Sequence, residues 1–314
     1  MAGESTDAVV TVRDLRREYG ETVAVDGVSF EVRANEVFAL VGPNGAGKTT
    51  TVEILECLRT PTGGSASVLG YDVTEDPRTI KERIGVVPQS FHTFDRLTVR
   101  ENVRLTRQLY ADGIGVEAAL ERLDLGAYAD TRFAALSGGY QRRTGIAMAL
   151  VSDPEVLFLD EPTTGLDPAA RRTTWEQIER LTDLGTTVVL TTHYMEEVEQ
   201  LADRAALLVD GETVAVDTVA GLVATYGGDV RLVVEATGDD AAVESALREV
   251  ADEVYRDDAG DLVGLFEDRS AAQAAFGRLH GVGGDRAIEL AGAGMEDVFL
   301  RLAGGTPDDR GELR

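Results

Sequence analysis

Eight residues constrain this chain more than any others. Gly42-Pro43-Asn44-Gly45-Ala46-Gly47-Lys48-Thr49 comes directly after the apolar run Val37–Val41 and leads into a stretch of helical character over residues 49–58. A glycine-rich turn of the form G-x-x-x-x-G-K-T between a strand and a helix is a phosphate loop. Its glycines let the backbone curl so that successive N–H groups converge on phosphate oxygens, and the helix N-terminus adds positive potential. In such a loop Lys48 reaches the β- and γ-phosphates, and Thr49 offers its hydroxyl to Mg²⁺. Lysine occurs only at Lys48 and Lys81 in 314 residues, so finding one of the two here is informative.

Residues 156–159 form a second apolar run, ending in Asp160-Glu161. Neighbours on a strand point to opposite sides, so the two carboxylates are expected to have different tasks. Beside a phosphate loop, Asp160 reads as a holder of the Mg²⁺ shell and Glu161 as the group that polarises the water attacking the γ-phosphate. Leu136-Ser137-Gly138-Gly139-Tyr140-Gln141 precedes a helical stretch over 140–151. Ser137 and the N–H groups of Gly138 and Gly139 then make a second anion site, so one chain owns two phosphate-binding helix starts.

Charge excludes other classes. Acids outnumber bases 56 to 30, a net charge of −26, whereas a duplex binder needs clustered cations to displace condensed counterions; no nucleic-acid partner is expected. No run approaches the roughly 18 apolar residues needed to cross a bilayer. The N-terminus has no basic region followed by an apolar core, so no secretory signal is read there. The single cysteine, Cys57, fits a reducing cytosol. Of the 30 basic residues 28 are arginine, and with so many carboxylates the composition predicts a halophile's protein, soluble in concentrated salt and self-repelling in dilute buffer.

The first 220 residues or so alternate strand and helix signals, the pattern of a mostly parallel sheet covered by helices. A further strand is predicted at 186–191, and helices at 98–110, 169–184 and 195–202. Thr98 and Glu101 have capping-box spacing, and Asp167-Pro168 supplies an N-cap followed by a first-turn proline. Composition shifts near Tyr226-Gly227-Gly228-Asp229, dividing the chain into domains 1–226 and 227–314. Beyond it the pattern predicts strand 230–235, helix 241–250, strands 253–256 and 262–266, helix 270–279, strand 286–290 and a last helix 296–302. The first six elements follow the β-α-β-β-α-β order of ferredoxin-like domains.

With its two phosphate-binding helix starts, the chain resembles the ATP-binding-cassette (ABC) ATPases, the nucleotide-binding subunits of transporters, over about residues 9–222. The resemblance adds Tyr19 as the adenine-stacking aromatic and Gln89 after Val86-Val87-Pro88 as the loop glutamine. It makes Ser137-Gly138-Gly139 the family signature, Gly165-Leu166-Asp167 the aspartate loop and His193 the switch histidine. Leu97–Asn102, Thr192–Glu197 and Met295–Leu300 are similar to the drug- and sodium-exporter (ABC-2-type) branch, whose subunits carry a similar C-terminal extension. The implied fold is an α/β P-loop cassette with a mixed, mostly parallel sheet and a helical signature subdomain, followed by a small α+β domain.

The resemblance implies two subunits head to tail, each ATP lying between one phosphate loop (Gly42 to Thr50) and the partner's Ser137, Gly138 and Gly139. Gln89 then touches Mg²⁺ and the water, His193 holds the γ-phosphate and Asp167 organises the dimer contact. The implied partners are a second copy and a separate ABC-2-type membrane permease, with the chain peripheral on the cytoplasmic face. A docking surface is expected near residues 89–97, where Phe91 and Phe94 look exposed for a loop. The alternatives are a soluble cassette ATPase acting on DNA or ribosomes and a module that holds ATP without hydrolysing it. Two departures stand out: Tyr140 where glutamine is usual, and Asn35 where glycine is common. Cys57 reads as a small buried residue on a helix face and Trp175 as packing. Arg142 and Arg143 either pair near the signature or contact nothing, and His92 and His280 stay unassigned.

Overall fold

The computed structural model describes residues 8–303 apart from 229, 239, 258–259 and 283–285. The chain divides into two compact units, one holding almost all of residues 8–216 and one formed mainly by the residues from Asp217 onward.

The first unit begins with β1 (Ala8–Tyr19) and β2 (Thr22–Arg33), an antiparallel pair. β3 (Val37–Val41) and α1 (Lys48–Leu55) follow, then β4 (Gly63–Val68), β5 (Tyr71–Asp72), α2 (Pro77–Lys81) and β6 (Ile84–Val87). Next come α3 (Val99–Arg107), α4 (Val116–Arg122), α5 (Gly138–Leu150), β7 (Val156–Asp160), α6 (Pro168–Asp183) and β8 (Thr187–Thr192). α7 (Met195–Leu201), β9 (Arg204–Val209) and β10 (Glu212–Thr218) complete it. One sheet has the order β10-β9-β3-β8-β7-β6, and its core pairs β9-β3, β3-β8, β8-β7 and β7-β6 are parallel. β3 and β8 are buried at every position, which is why β3 reads as an unbroken apolar run and β8 carries one at 188–190 between threonines.

A four-stranded antiparallel sheet, β2-β1-β4-β5, lies outside the expected strand–helix alternation. β1 does alternate in burial around Val10 and Val12, but Asp14 has φ 48° and the β1–β2 register shifts between Val12 and Leu15. That irregularity interrupts the period on which strand recognition depends. The core joins Val10, Val12 and Val68 of this sheet to Phe38, Leu40 and Phe158 of the other, each fully buried. Each such side chain contributes roughly 1.5–3 kcal/mol by leaving water.

α3, α4 and α5 pack on one another as the helical subdomain. The predicted capping box holds: Thr98 Oγ1 accepts from Glu101 N, and Glu101 Oε2 accepts from Thr98 N. Asn35 adopts φ 59°, the left-handed conformation for which glycine is the common solution and asparagine a tolerated one. Cys57 is half-buried just past the C-cap of α1 at φ 57°, so it terminates the helix rather than lying on its face.

The second unit comprises α8 (Val219–Tyr226), β11 (Val230–Val234), α9 (Ala241–Arg248), β12 (Glu253–Arg256), β13 (Leu262–Phe266), α10 (Arg269–Val282), β14 (Ile288–Ala291) and α11 (Met295–Ala303). Its antiparallel sheet has the order β12-β13-β11-β14, the strand order of a ferredoxin-like domain. Leu232, Val234 and Phe266 face a core with Val243, Leu247 and Leu279 of α9 and α10, while Val263 and Leu265 pack with Leu300 of α11. α8 packs against α11, so the division falls near Val216, about ten residues before the compositional shift at 226–229.

Candidate active site

The parallel strands bring their carboxyl ends to one edge, where ligands bind in open α/β sheets. β3 ends at Val41, and the loop that follows turns into α1 at Gly47, whose φ is 92°. A Cβ on Gly47 would stand 2.5 Å from the carbonyl oxygen of Ala24, so only glycine fits. Lys48 is the first residue of α1, and Thr49 is exposed beside it. Burial lowers the Lys48 pKa, and the charges of Glu161 and Asp160 oppose that shift, placing the ammonium in the field of both carboxylates.

β7 delivers Asp160 and Glu161 side by side. Asp160 Oδ1 accepts a hydrogen bond from Thr191 Oγ1 of β8. Burial raises the Asp160 pKa, partly offset by that hydroxyl. Glu161 leaves the strand in the left-handed region, φ 45°, and its N–H donates to the carbonyl and hydroxyl oxygens of Thr191, both at 3.1 Å. A non-glycine residue held there is strained, and such strain persists only where neighbours enforce it. Glu161 Oε2 accepts from Gln89 Nε2 at 2.7 Å and from Thr164 Oγ1 at 3.1 Å, and Oε1 lies 3.3 Å from His193 Nδ1. The His193 contact, ahead of the others, holds the carboxyl down at about 2. Gln89, Glu161 and His193, which lie far apart in sequence, therefore meet at one point, with Asp160 just before Glu161 at the end of β7.

Arg142, left open by its sequence context, ties this point to the signature helix. Its Nε donates to Pro162 O and Nη1 to Pro88 O, both at 2.8 Å, while Nη2 donates to Asp160 O at 2.7 Å and Glu161 O at 2.5 Å. One guanidinium on α5 thus fixes the end of β7, the turn after Glu161 and the residue before Gln89. The acceptors are main-chain carbonyls, which any sequence supplies, so no residue pattern announces the contact. Glu197 is a second missed residue: fully buried on α7, its Oε1 accepts from Thr163 Oγ1 at 2.8 Å and Trp175 Nε1 at 3.1 Å, which gives Trp175 a polar task beyond packing.

Ser137 is exposed at the N-cap of α5 and makes no side-chain cap bond; Gly138 and Gly139 open that helix. A Cβ on Gly139 would come within 2.9 Å of Ala170 Cβ at the start of α6, so the signature needs its glycine for close approach. Asp167 caps α6, accepting from Ala169 N and Ala170 N at 3.0 Å. No hydrogen bond is seen between Ser137 and Gln89, Glu161 or His193 among the described residues. Tyr140 lies 3.9 Å from the Tyr128 ring, centroid to centroid, with the Arg143 guanidinium 4.0 Å over it, so the departure from glutamine serves a packed cluster. Tyr19 sits at the end of β1, 37 % exposed, with Arg17 4.6 Å over its ring.

An oxygen-only set is available for a divalent cation. Asp160 supplies a carboxylate, Thr49 a hydroxyl and Gln89 an amide oxygen that is left without a partner when Nε2 bonds Glu161. Among the described residues there is no cluster of three or more His, Cys, Asp or Glu side chains for a metal. Oxygen donors of this kind fit a hard divalent cation.

Phosphate loop, strand-end carboxylate pair and helical signature define a nucleotide-hydrolysing P-loop cassette. The family model described as "ABC transporter" matches residues 25–164. The daunorubicin/doxorubicin resistance ATP-binding protein of Streptomyces peucetius is 38 % identical, covering 99 % of this chain and 96 % of its own length. A Nod factor export ATP-binding protein of Burkholderia orbicola is 39 % identical over 95 % of this chain and 97 % of its own. A dimeric ATP-binding cassette solved in a post-hydrolysis state with ADP and Pi has 27 % identity and a TM-score of 0.59, covering 67 % of this chain and 98 % of that one. The chain belongs to the ABC transporter family of ATP-binding subunits, in the branch that holds these export and resistance proteins. It is an ATPase subunit of the kind that dimerises and acts with a membrane permease. Among the described residues no helix is long and apolar enough to cross a membrane.

Proposed function

We propose that two copies of this chain pair head to tail around two ATP and drive a separate ABC-2-type permease, exporting a substrate from the cytoplasmic face of the membrane. The observation that carries the reading is the Gln89–Glu161–His193 constellation, together with an exposed signature whose Ser137 hydroxyl has no hydrogen-bond partner among the described residues. Asp160, Thr49 and Gln89 would hold Mg²⁺, which when bound neutralises charge developing on the phosphates. Lys48 and the loop from Gly42 to Thr50 bind the phosphates, Tyr19 stacks the adenine once Arg17 or Arg59, which both lie over its ring, gives way, and Ser137, Gly138 and Gly139 meet the γ-phosphate of the partner's ATP. Asp167, beside the signature at the head of α6, supports that contact.

Glu161 as it stands is ionised but a weak base, because both its oxygens are engaged. Moving Gln89 to the cation and His193 to the γ-phosphate frees Oε1, leaves only Thr164 on Oε2 and raises proton affinity at the group that must take a proton from water. ATP thereby recruits two of the three side chains that restrain the base. The permease docks in a groove of about 580 Å³ whose wall includes Phe91, packed edge-on to Phe133 with a ring centroid distance of 5.9 Å. Phe94 is 61 % exposed nearby, so of the two phenylalanines only Phe94 stands out to solvent while Phe91 shapes the wall.

Light scattering after size exclusion of Glu161→Gln with Mg²⁺ and ATP tests the reading. A stable dimer that reverts to monomer in ADP is expected; a monomer at saturating ATP contradicts it.

A further inference from the structure

The same groove contains a group that neither catalysis nor folding explains. It lies between the C-terminal end of α1, β6, α3 and α5, and its walls are largely apolar, with Leu58, Ile84, Val86, Phe91, Met148 and Ala149. Glu56 lines it too, at the C-cap of α1. The residue is only 6 % exposed, and its carboxyl has no hydrogen-bond or ion-pair partner among the described residues. A buried carboxyl without a partner is costly, so its place in a cavity wall needs a reason. Two charges act on it, Asp160 at the end of β7 and Glu53 one turn back on α1, the latter ion-paired with Arg59 at 3.0 Å. Lys81, exposed at the end of α2, His92 in the loop after β6 and Tyr110 beyond α3 line the same groove. None of these is bonded to Glu56.

We propose that Glu56 is a polar anchor of the docking groove, taking a lysine or arginine from an otherwise apolar permease segment. The inference rests on the groove being the permease site. Burial, with the charges of Asp160 and Glu53, keeps a proton on Glu56 in the free chain, and an incoming cation would displace that proton and pair with the carboxylate, which a neutral donor cannot do; the chain's net charge of −26 favours the approach of a cation. An apolar segment alone would leave the carboxyl sealed off from water without a partner, which opposes docking; a segment carrying a cation removes that penalty. The anchor therefore selects which segment enters, beyond adding affinity.

The test is co-purification of the membrane chain with tagged full-length protein from detergent-solubilised membranes, with melting temperature as the control for folding. Three variants are compared: Glu56→Gln, Glu56→Lys and Met148→Asp, the last charging the opposite wall. Expected are at least a tenfold loss of recovered membrane chain for Glu56→Gln, no recovery for Glu56→Lys or Met148→Asp, and restored recovery when one lysine or arginine in the permease's cytosolic loops is changed to glutamate against Glu56→Lys. If Met148→Asp abolishes recovery while both Glu56 variants assemble normally, the anchor is wrong and the groove stands. Loss in Glu56→Lys that no permease reversal restores also overturns the anchor. Normal assembly by Met148→Asp removes the groove reading, and the anchor with it.

Discussion

Replacing Arg142 with methionine keeps most of the side chain's volume and removes every donor. The wild-type guanidinium is 9 % exposed and bonds the carbonyls of Pro88, Asp160, Glu161 and Pro162. A hydrogen bond to a charged group has a net worth of about 1.5–3 kcal/mol, but the four share one desolvation cost and do not add. Burial already lowers the Arg142 pKa despite the nearby Asp160, Glu197 and Glu161 charges, so that cost is real. Leaving four carbonyls without their donor is therefore expected to cost about 3–5 kcal/mol, the range for breaking a buried polar pair. For a unit of some 200 residues this is a fall in Tm of roughly 6–20 °C. Denaturant unfolding in molar KCl reads the stability. ATPase assays below the new Tm read the second effect: with the end of β7 and the turn before Gln89 released, kcat should drop on the order of a hundredfold, as when catalytic groups shift by about 1 Å. Arg142→Lys, with charge but no planar fork, should recover part of the stability and little of the rate. Arg142→Met within 1 kcal/mol of wild type at normal turnover would refute the argument.

Three further outcomes follow from the same structure. Lys48→Ala should lose nucleotide affinity at least a hundredfold in a fluorescent-ATP titration, and unchanged binding contradicts the phosphate-loop assignment. Burial, with the charges of Asp160 and Glu53, pushes Glu56 up from 4.5 to about 8, so the folded chain keeps a proton that the unfolded chain has released. Stability from this group is complete below about pH 4.5 and is lost as pH rises to about 8, by a few kcal/mol at most. Glu56→Gln should flatten the fall in stability between pH 5 and 8, and an unchanged slope rules the effect out. The excess of carboxylates predicts a Tm that climbs with KCl into the molar range; equal stability at low and high salt sinks the halophile reading.

What could be read from the chain depended on where each residue's partners lie. β3, β7 and β8 are central parallel strands buried along almost their whole length, so each carries an apolar run that stands out. The phosphate loop was legible because its chemistry needs glycines and a lysine in fixed order. The ferredoxin-like order was legible from alternation and spacing; the antiparallel sheet was not, because the irregularity at Asp14 interrupts β1. At the site, the resemblance singled out Gln89 and His193, which here bond Glu161, whereas Arg142 and Glu197 left no trace, one bonding carbonyls and the other hidden on a helix that reads as acidic. The boundary near Val216 escaped composition because α8 follows β10 without a polar linker.

The central claim is that this chain powers a separate membrane protein. The most direct test is a pull-down of tagged Glu161→Gln protein with ATP from detergent-solubilised cells in high KCl, with the co-purifying chains identified by mass. A polytopic membrane protein at near-equal stoichiometry is predicted. Recovery of the chain with itself alone, or with ribosomes or DNA-repair proteins, would contradict the account while leaving the nucleotide site as described.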